Sequence, residues 1–452
     1  SVSGTDTAWA VSGVYATVST SSGVIDIYFN QIVDNSVSTG TNAKYIIDAA
    51  VVNKIISYID NAQTSIDFTI YNIDQTSIVT ALNNAHNRGV QVRVIADNGT
   101  ANSALQNGTT NFNWFTGNSG GLVHNKFIVI DADSPSDCWL FTGSMNFTNG
   151  EIYNNYNSFM FIQDQSLAKT YKLEFEEMWG GSGASVGIFT KKLGSEKSNN
   201  TPHKFIIGGI PVESYFSPTD GTTSEIVAAL QTADSDIEFA MLTFTRNDLR
   251  DVLVERHNTG VNVRGMIDNI NDTGGEFQTL LNAGIDVKDH VPTTLLHHKY
   301  GIVDAGMPTS DPMVIVGSHN WTSAAESNND ENTLIIHDAT IANIYAQEFN
   351  ARWVGMVTKT TNVVAGLEGF EVEILGNPAQ NVLNFNIKND IYKNVAYKIF
   401  NTTGQLLQSK TLNNINGNTQ HQLNISDLTP GSYIILFEVD GAAIGKKFVV
   451  AK

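Results

Sequence analysis

Short apolar runs alternate with helix-spaced segments from about residue 25 to residue 357, and the whole alternation occurs twice. In the later occurrence Thr222 and Glu225 stand at capping-box spacing ahead of Ile226, Val227, Ala229 and Leu230, which predicts a helix start. An apolar strand over 237–242 follows, then a helix from Leu249 to about His257 that Gly260 ends. A strand over 261–267, a further crossover and a strand over 300–303 complete the pattern. The earlier occurrence matches it with 66–71, 77–86, Gly89, 90–96 and 127–130. Short apolar strands separated by helices predict an α/β fold with mostly parallel sheets covered on both faces.

The two occurrences are copies. Residues 86–98 and 257–269 agree at eight of thirteen positions, at an offset of 171. His124-Asn125-Lys126 pairs with His297-His298-Lys299, and Gly143-Ser144-Met145-Asn146 with Gly317-Ser318-His319-Asn320. Tyr171, Glu174, Phe175 and Trp179 pair with Tyr345, Glu348, Phe349 and Trp353. Order is kept and the offset drifts by only three residues, so a domain has been duplicated. The expected arrangement is two tandem α/β-sandwich halves, 1–182 and 210–358, related by a pseudo-twofold axis.

Between them lies 183–209, which carries Lys191, Lys192, Lys197 and Lys204. A charge run of this kind reads as a solvated linker, with contact to an anionic substrate as the other possibility. From about Gly369 the period shortens to that of strands, as in 382–387 and 433–439. Turn residues fall at 401–404, at Thr429-Pro430-Gly431 and at 440–441, so 369–452 reads as a small all-β sandwich.

Composition narrows the function. The 452 residues are 41% hydrophobic, enough for a sizeable core, and contain no apolar run long enough to be a transmembrane segment. No basic stretch followed by an apolar one opens the chain at Ser1, so any signal peptide is expected to have been removed, if there was one. The single cysteine, Cys138, excludes an intrachain disulfide and reads as a small packed side chain. The formal charge of −19 resides wholly in 1–367, because 368–452 holds seven acids and seven lysines. An acidic body of this kind repels polyanions and argues against a high-affinity, non-specific nucleic-acid binder.

Each copy carries His-x-Lys followed by four residues and Asp: His124, Lys126, Asp131 and His297, Lys299, Asp304. Side chains two apart on a strand share a face, so His and Lys point the same way; Asp, five beyond Lys, has opposite parity and reads as structural. A tight turn downstream offers Ser144, Asn146, Ser318 and Asn320. Face to face, the copies gather two His, two Lys and two Asn. Lysines and amides can hold the non-bridging oxygens of a phosphate in a five-coordinate transition state. One imidazole can attack phosphorus and form a phosphohistidine, while the other protonates the leaving oxygen and later takes a proton from water or an alcohol.

At this point residues 25–357 resemble the phospholipase D superfamily, whose signature is His-x-Lys-x4-Asp with a downstream Gly-Ser-x-Asn-like segment, usually present twice. The resemblance implies phosphodiester chemistry through a phosphohistidine, with no metal or other cofactor, and carries over to His124, Lys126, Asn146, His297, Lys299 and Asn320. The family often places an acid after the second turn; here that segment reads Asn328-Asn329-Asp330-Glu331-Asn332, against Asn154-Asn155-Tyr156-Asn157 in the first copy. A carboxylate beside an imidazole favours its protonated form, so Glu331 is expected to support His297 as general acid, with His124 as nucleophile.

Other conspicuous residues read as structural. His86 and His257 end helices, where imidazolium suits the dipole. His298 and His319 are expected near the pocket rim. The glycine-rich run 116–121 reads as a flexible loop, and the oxygen-rich run 268–272 as a turn lacking Ca²⁺-loop spacing.

The tail resembles the sorting domain of the type IX secretion system of Bacteroidetes. Asn377-Pro378, the 401–404 turn, Leu428 to Tyr433 and Lys447-Phe448-Val449-Val450 carry that likeness. It implies engagement of the secretion machinery and a secreted or outer-surface location. The substrate is expected to be a phosphodiester, either phospholipid or nucleic acid, and a catalytically idle surface binding protein is the third possibility.

Overall fold

The computed structural model describes residues 14–16, 21–118, 120–290, 294–355, 370–389, 394–401, 406–413, 417–439 and 442–451. Two compact units emerge, Ser1–Ala351 and Arg352–Lys452. Both copies of the repeat belong to the first.

Each half is built on one sheet. The first runs Ile25–Phe29, Ser158–Ile162, Trp139–Gly143, Phe127–Ile130, Ser65–Ile70, Gln91–Asp97, Asn113–Gly117 in spatial order. The second repeats it as Ile210–Ser217, Glu331–His337, Met313–Gly317, Lys299–Val303, Asp236–Met241, Asn262–Ile267, Asp286–Asp289. Lys204–Ile207 and then Val14–Ala16 extend the second sheet beyond Ile210–Ser217. The sheets are mixed, which corrects the expectation of mostly parallel ones. Among the seven matching strands of each sheet only the last three are mutually parallel, and Val14–Ala16 also pairs parallel with Lys204–Ile207. Eight residues separate Ile130 from Trp139 and nine separate Val303 from Met313, too few for a crossover helix, so the chain turns back antiparallel.

Helices pack on these sheets through their apolar stripes. Ala49–Asn61 and Thr76–Asn87 bury Ile55, Ile59, Ile78 and Leu82 against Ile66, Phe68 and Val94. Thr222–Gln231 and Asn247–Asn258 do the same for the second half with Ile226, Leu230, Leu249 and Leu253. Each large apolar side chain so buried contributes about 1.5–3 kcal/mol. The capping box read at Thr222 does not form. Gly221, at φ 68°, turns the chain into the helix, Thr222 is already helical, and Glu225 accepts instead from the Tyr215 hydroxyl at 3.4 Å. His86 and His257 lie in the last turns of their helices. The halves clasp reciprocally: Tyr171 of the first packs edge-on against Phe216 of the second, and Tyr345 of the second against Phe29 of the first.

Most of 183–192 is exposed, as in a solvated linker, but the segment 183–209 is anchored further on, and its Lys197 is not a substrate contact. Its end forms the strand Lys204–Ile207, Lys192 pairs with Glu177 at 2.9 Å, and the Lys197 side chain is wholly buried against Glu174 and Asp330. Burial of two carboxylates requires a counter-charge, and this lysine supplies it.

Unit Arg352–Lys452 holds two antiparallel sheets. One runs Phe370–Leu375, Val382–Asn389, Gly417–Asn424; the other runs Leu406–Asn413, Asn394–Asn401, Gly431–Val439, Ala442–Val450. Inward-facing Phe385, Ile387, Ile399, Ile435 and Phe437 make its core. The turns expected at 402–404 and 440–441 lie outside the described residues.

The motif aspartates close the loops before the first parallel strand of each half. Asp131, at φ 48°, accepts from the backbone N–H of Gln63, Thr64 and Ser65, and Asp304 accepts from those of Asp234, Ser235 and Asp236. Asp131→Ala orphans three donors at once, and a loss of about 3 kcal/mol is expected. Urea unfolding with an unchanged m value measures it; a change below about 0.5 kcal/mol refutes the bracing role.

Candidate active site

The site forms where each half lends its histidine segment to the other. Asp330 N donates to Leu122 O at 2.8 Å and His124 N to Asp330 O at 3.0 Å, an isolated parallel bridge across the halves. Its counterpart joins Tyr156 N to Leu295 O at 2.8 Å, beside Leu296 and His297. Within each half an aspartate holds the same segment: Asp97 accepts from Val123 N at 2.8 Å and Asp268 from Leu296 N at 2.6 Å. These two aspartates were missed as site-builders, although both stand next to last in the thirteen-residue repeat, just before its closing Asn.

The Gly-Ser-x-Asn turns sit beneath. A Cβ on Gly143 would lie 2.3 Å from Ser158 O, and one on Gly317 2.0 Å from Asn332 O, so only glycine admits the close backbone approach. That approach lets Ser144 Oγ donate to Asn157 Oδ1 at 2.8 Å and Ser318 Oγ to Glu331 Oε2 at 2.7 Å.

The histidines are held across the halves, which corrects the expected pairing of Glu331 with His297. Glu331 Oε2 lies 2.7 Å from His124 Nδ1, while His297 Nδ1 meets Asn157 Oδ1 at 2.9 Å. Asn157 and Glu331 occupy equivalent positions in the two copies. The first copy does bring an acid, but from elsewhere: Glu151 Oε2 accepts from Asn157 Nδ2 at 2.8 Å and lies 3.2 Å from His297 Nδ1. Sequence reading missed Glu151 and Asn157 because it paired acid and histidine within one copy. The bridge places each imidazole on the opposite copy's strand.

An ionised carboxylate only accepts, so the Glu331 contact makes Nδ1 of His124 the donor and leaves Nε2 with its lone pair. Burial opposes that ionisation, but His124, Lys126 and a hydrogen bond from His124 outweigh it and hold the Glu331 carboxyl down to about 2. Burial likewise favours neutral imidazole, with Glu331 only partly restoring the charged form, so His124 is lowered to about 4. His297 is lowered well below its ordinary value, first by burial and then by Lys299, Lys126 and His124, which places all four groups in one electrostatic cluster.

Lys126 and Lys299 are buried, and each donates to the carbonyl of its own motif histidine, at 2.6 and 2.8 Å. That bond uses one of three ammonium donors. Burial, partly offset by Glu331 among others, lowers Lys126 to about 7; burial, partly offset by Glu151 and Glu331, lowers Lys299 to about 8. Asn146 Nδ2 lies 3.4 Å from Glu151 Oε1, and the side-chain oxygens of Asn146 and Asn320 are buried with no hydrogen bond among the described residues. Tyr71 closes one side, edge-on to His124 and 5.3 Å from Lys126 Nζ. Two imidazoles and two ammonium groups thus share one buried cluster, with the Asn146 amide beside Glu151, a set suited to a tetrahedral oxyanion.

Three other readings resolve. His298 and His319 lie beneath the surface rather than on a rim, His298 Nε2 on Glu348 at 2.6 Å and His319 within 3.5 Å of Glu326. Cys138 is packed, and burial pushes its thiol up to about 11. The run 116–121 begins inside the strand Asn113–Gly117, and its Ser119 lies outside the described residues.

Comparison with known proteins gives two family matches. Residues 55–179 and 226–353 match the "Cardiolipin synthase, PLD-like domain" model, and 373–451 match the secretion system C-terminal sorting domain. That sorting domain marks a secreted or cell-surface protein. The mitochondrial cardiolipin hydrolase of Chlamydomonas reinhardtii is 30% identical over 140 residues, and that of Xenopus tropicalis 33% identical over 137. Each match spans 30% of this chain and 60% or 62% of the relative's length. Crystalline phosphatidylserine synthase of Haemophilus influenzae superposes with TM-score 0.51 at 14% identity, over 71% of this chain and 85% of that one, a likeness of fold.

The depressed lysines predict linked proton uptake. An oxyanion in the cleft raises Lys126 and Lys299 from about 7 and 8 toward their ordinary range, so the complex holds more protons than the free protein. Vanadate or tungstate is therefore expected to bind with proton uptake at pH 8, and more weakly as pH rises through 7 to 8. Calorimetry in buffers of different ionisation enthalpy reads this; zero uptake at pH 8 refutes it.

Proposed function

The chain belongs to the phospholipase D-like family, and from that premise we propose that it is an exported phosphodiesterase working through a phosphohistidine. The observation that carries this is the reciprocal holding of two imidazoles by acceptors from opposite halves, within one buried cluster that also contains Lys126 and Lys299.

In this mechanism His124 Nε2 attacks phosphorus and the bond to the leaving oxygen breaks. His297, protonated at Nε2 once the bound phosphodiester anion offsets the neighbouring lysines, gives that oxygen its proton. Lys126, Lys299, Asn146 and Asn320 hold the equatorial oxygens, whose charge grows in the transition state. Water then loses a proton to His297 and attacks phosphorus, the P–N bond breaks, and a phosphomonoester leaves. The unequal partners support this division of labour. A phosphorylated imidazole retaining Nδ1–H is cationic, and the carboxylate of Glu331 neutralises it directly. The nearer partner of His297 is the neutral amide of Asn157, with the Glu151 carboxylate farther off at 3.2 Å, a pairing that stabilises its cation less and so makes it the readier proton donor. The roles first read for the two histidines are kept, but the reason is replaced, because Glu331 serves the nucleophile.

A phospholipid is the favoured substrate. The −19 charge repels nucleic acid at long range, and two relatives bear the name cardiolipin hydrolase. Exposed Leu295, two residues before His297, adds apolar surface suited to a lipid neighbour.

Two experiments decide the matter. Purified protein with chelator present is incubated with phospholipid vesicles, cardiolipin included, and separately with plasmid and single-stranded DNA. Release of a lipid phosphomonoester or headgroup is expected, and His124→Ala should lower it by about a thousandfold or more. Nicked DNA with intact lipid makes the protein a nuclease; neither product, with wild type and His124→Ala equal on an aryl phosphodiester, leaves a binding role. Secondly, acid-free quenching during turnover should trap phosphate on His124, and Glu331→Gln should lower its yield. Phosphate on His297 reverses the two roles.

A further inference from the structure

The segment between the halves sends one side chain inward, and among the described residues its setting has no equal on the opposite side of the pseudo-twofold. Lys197 Nζ donates to Glu174 on the helix Gln165–Trp179, to Ser217 O at 2.9 Å, and pairs with Asp330 Oδ1 at 2.9 Å. All three ammonium donors are thereby taken, by groups from both halves. Asp330 Oδ1 also accepts from Gly194 N at 2.8 Å. The backbone of Asp330 is the second-half member of the exchanged bridge, bonded to Leu122 and His124, and the next residue is Glu331. On the other side the counterpart of Asp330 is Tyr156, and the counterpart of Glu174 is Glu348, which binds His298 at 2.6 Å.

A buried cluster of two carboxylates and one ammonium is a weak source of stability, because desolvation offsets the attraction; such clusters are better suited to fixing register. We infer that Lys197 is a positioning residue: by tying Asp330 down it sets the register of the bridge and so seats Glu331 on the His124 imidazole. The inference deepens the phosphodiesterase reading and rests on His124 being a reacting imidazole. Without the ammonium, two buried carboxylates lie unpaired next to Glu331. Asp330 then turns toward water or takes a proton, and in either case the strand that presents Glu331 shifts.

The test compares wild type with Lys197→Met and with Lys197→Met/Glu174→Gln, the second variant removing one stranded carboxylate so that folding is kept. On a soluble aryl phosphodiester, kcat is expected to fall roughly ten- to a hundredfold, as misplacement of reacting groups does, with KM within about twofold. Nitrogen NMR of the His124 ring is expected to lose the wild-type Nδ1–H signature and to titrate at a different pH. Wild-type kcat together with a wild-type His124 spectrum in the folded double variant overturns the inference and leaves Lys197 a simple cross-link. A wild type that cleaves no diester refutes the phosphodiesterase reading instead, and the ring-nitrogen spectra then decide the role of Lys197 alone.

Discussion

The hydrogen bond between His124 Nδ1 and Glu331 Oε2 joins two halves of the molecule, and its pseudo-symmetric partner joins His297 Nδ1 to Asn157 Oδ1. Neither half contains both members of either pair. Each histidine segment crosses over and pairs, by one backbone bridge, with the strand start that carries the other half's acceptor. Orientation of both rings therefore depends on docking of the halves, and the reciprocal Tyr171–Phe216 and Tyr345–Phe29 contacts supply apolar area for that docking. Ring orientation and interface stability are consequences of one arrangement.

The duplication is symmetric in backbone and unequal in chemistry. Equivalent turns, bridges and serines surround the two imidazoles, yet one faces a carboxylate and the other an amide backed by Glu151. Two histidines in identical surroundings would share one basicity, whereas attack and proton donation ask for different ones. A single Glu-to-Asn difference between copies, with an acid relocated six residues upstream in the first, separates them while the scaffold stays common.

Burial sets the electrostatic balance. Lys126 and Lys299 are buried beside two imidazoles, where burial disfavours their charged form and an oxyanion would restore it. The acids that would neutralise them, Glu151 and Glu331, are committed to the histidine partners. The exterior carries the opposite sign, since the chain as a whole is at −19. A net acidic chain disfavours extended polyanions at long range.

Much of this was legible along the chain. Repetition of His-x-Lys-x4-Asp and Gly-Ser-x-Asn at a nearly constant offset identified two copies, and hydrophobic periodicity placed the strands and helices it named within a residue or two. The strand-period tail was equally plain. Strand direction was not, because apolar runs look alike whether the chain crosses over or turns back, and only the eight- and nine-residue connections decide. Lys197 looked like one lysine of a solvated run because its two carboxylates, Glu174 and Asp330, are distant in sequence. Residue identity and local spacing determined which groups this protein has for handling a phosphate. Which acid serves which histidine was decided by the tertiary structure alone, because hydrogen bonds act over about 3 Å in space and the strand exchange sets positions 207 residues apart within that reach.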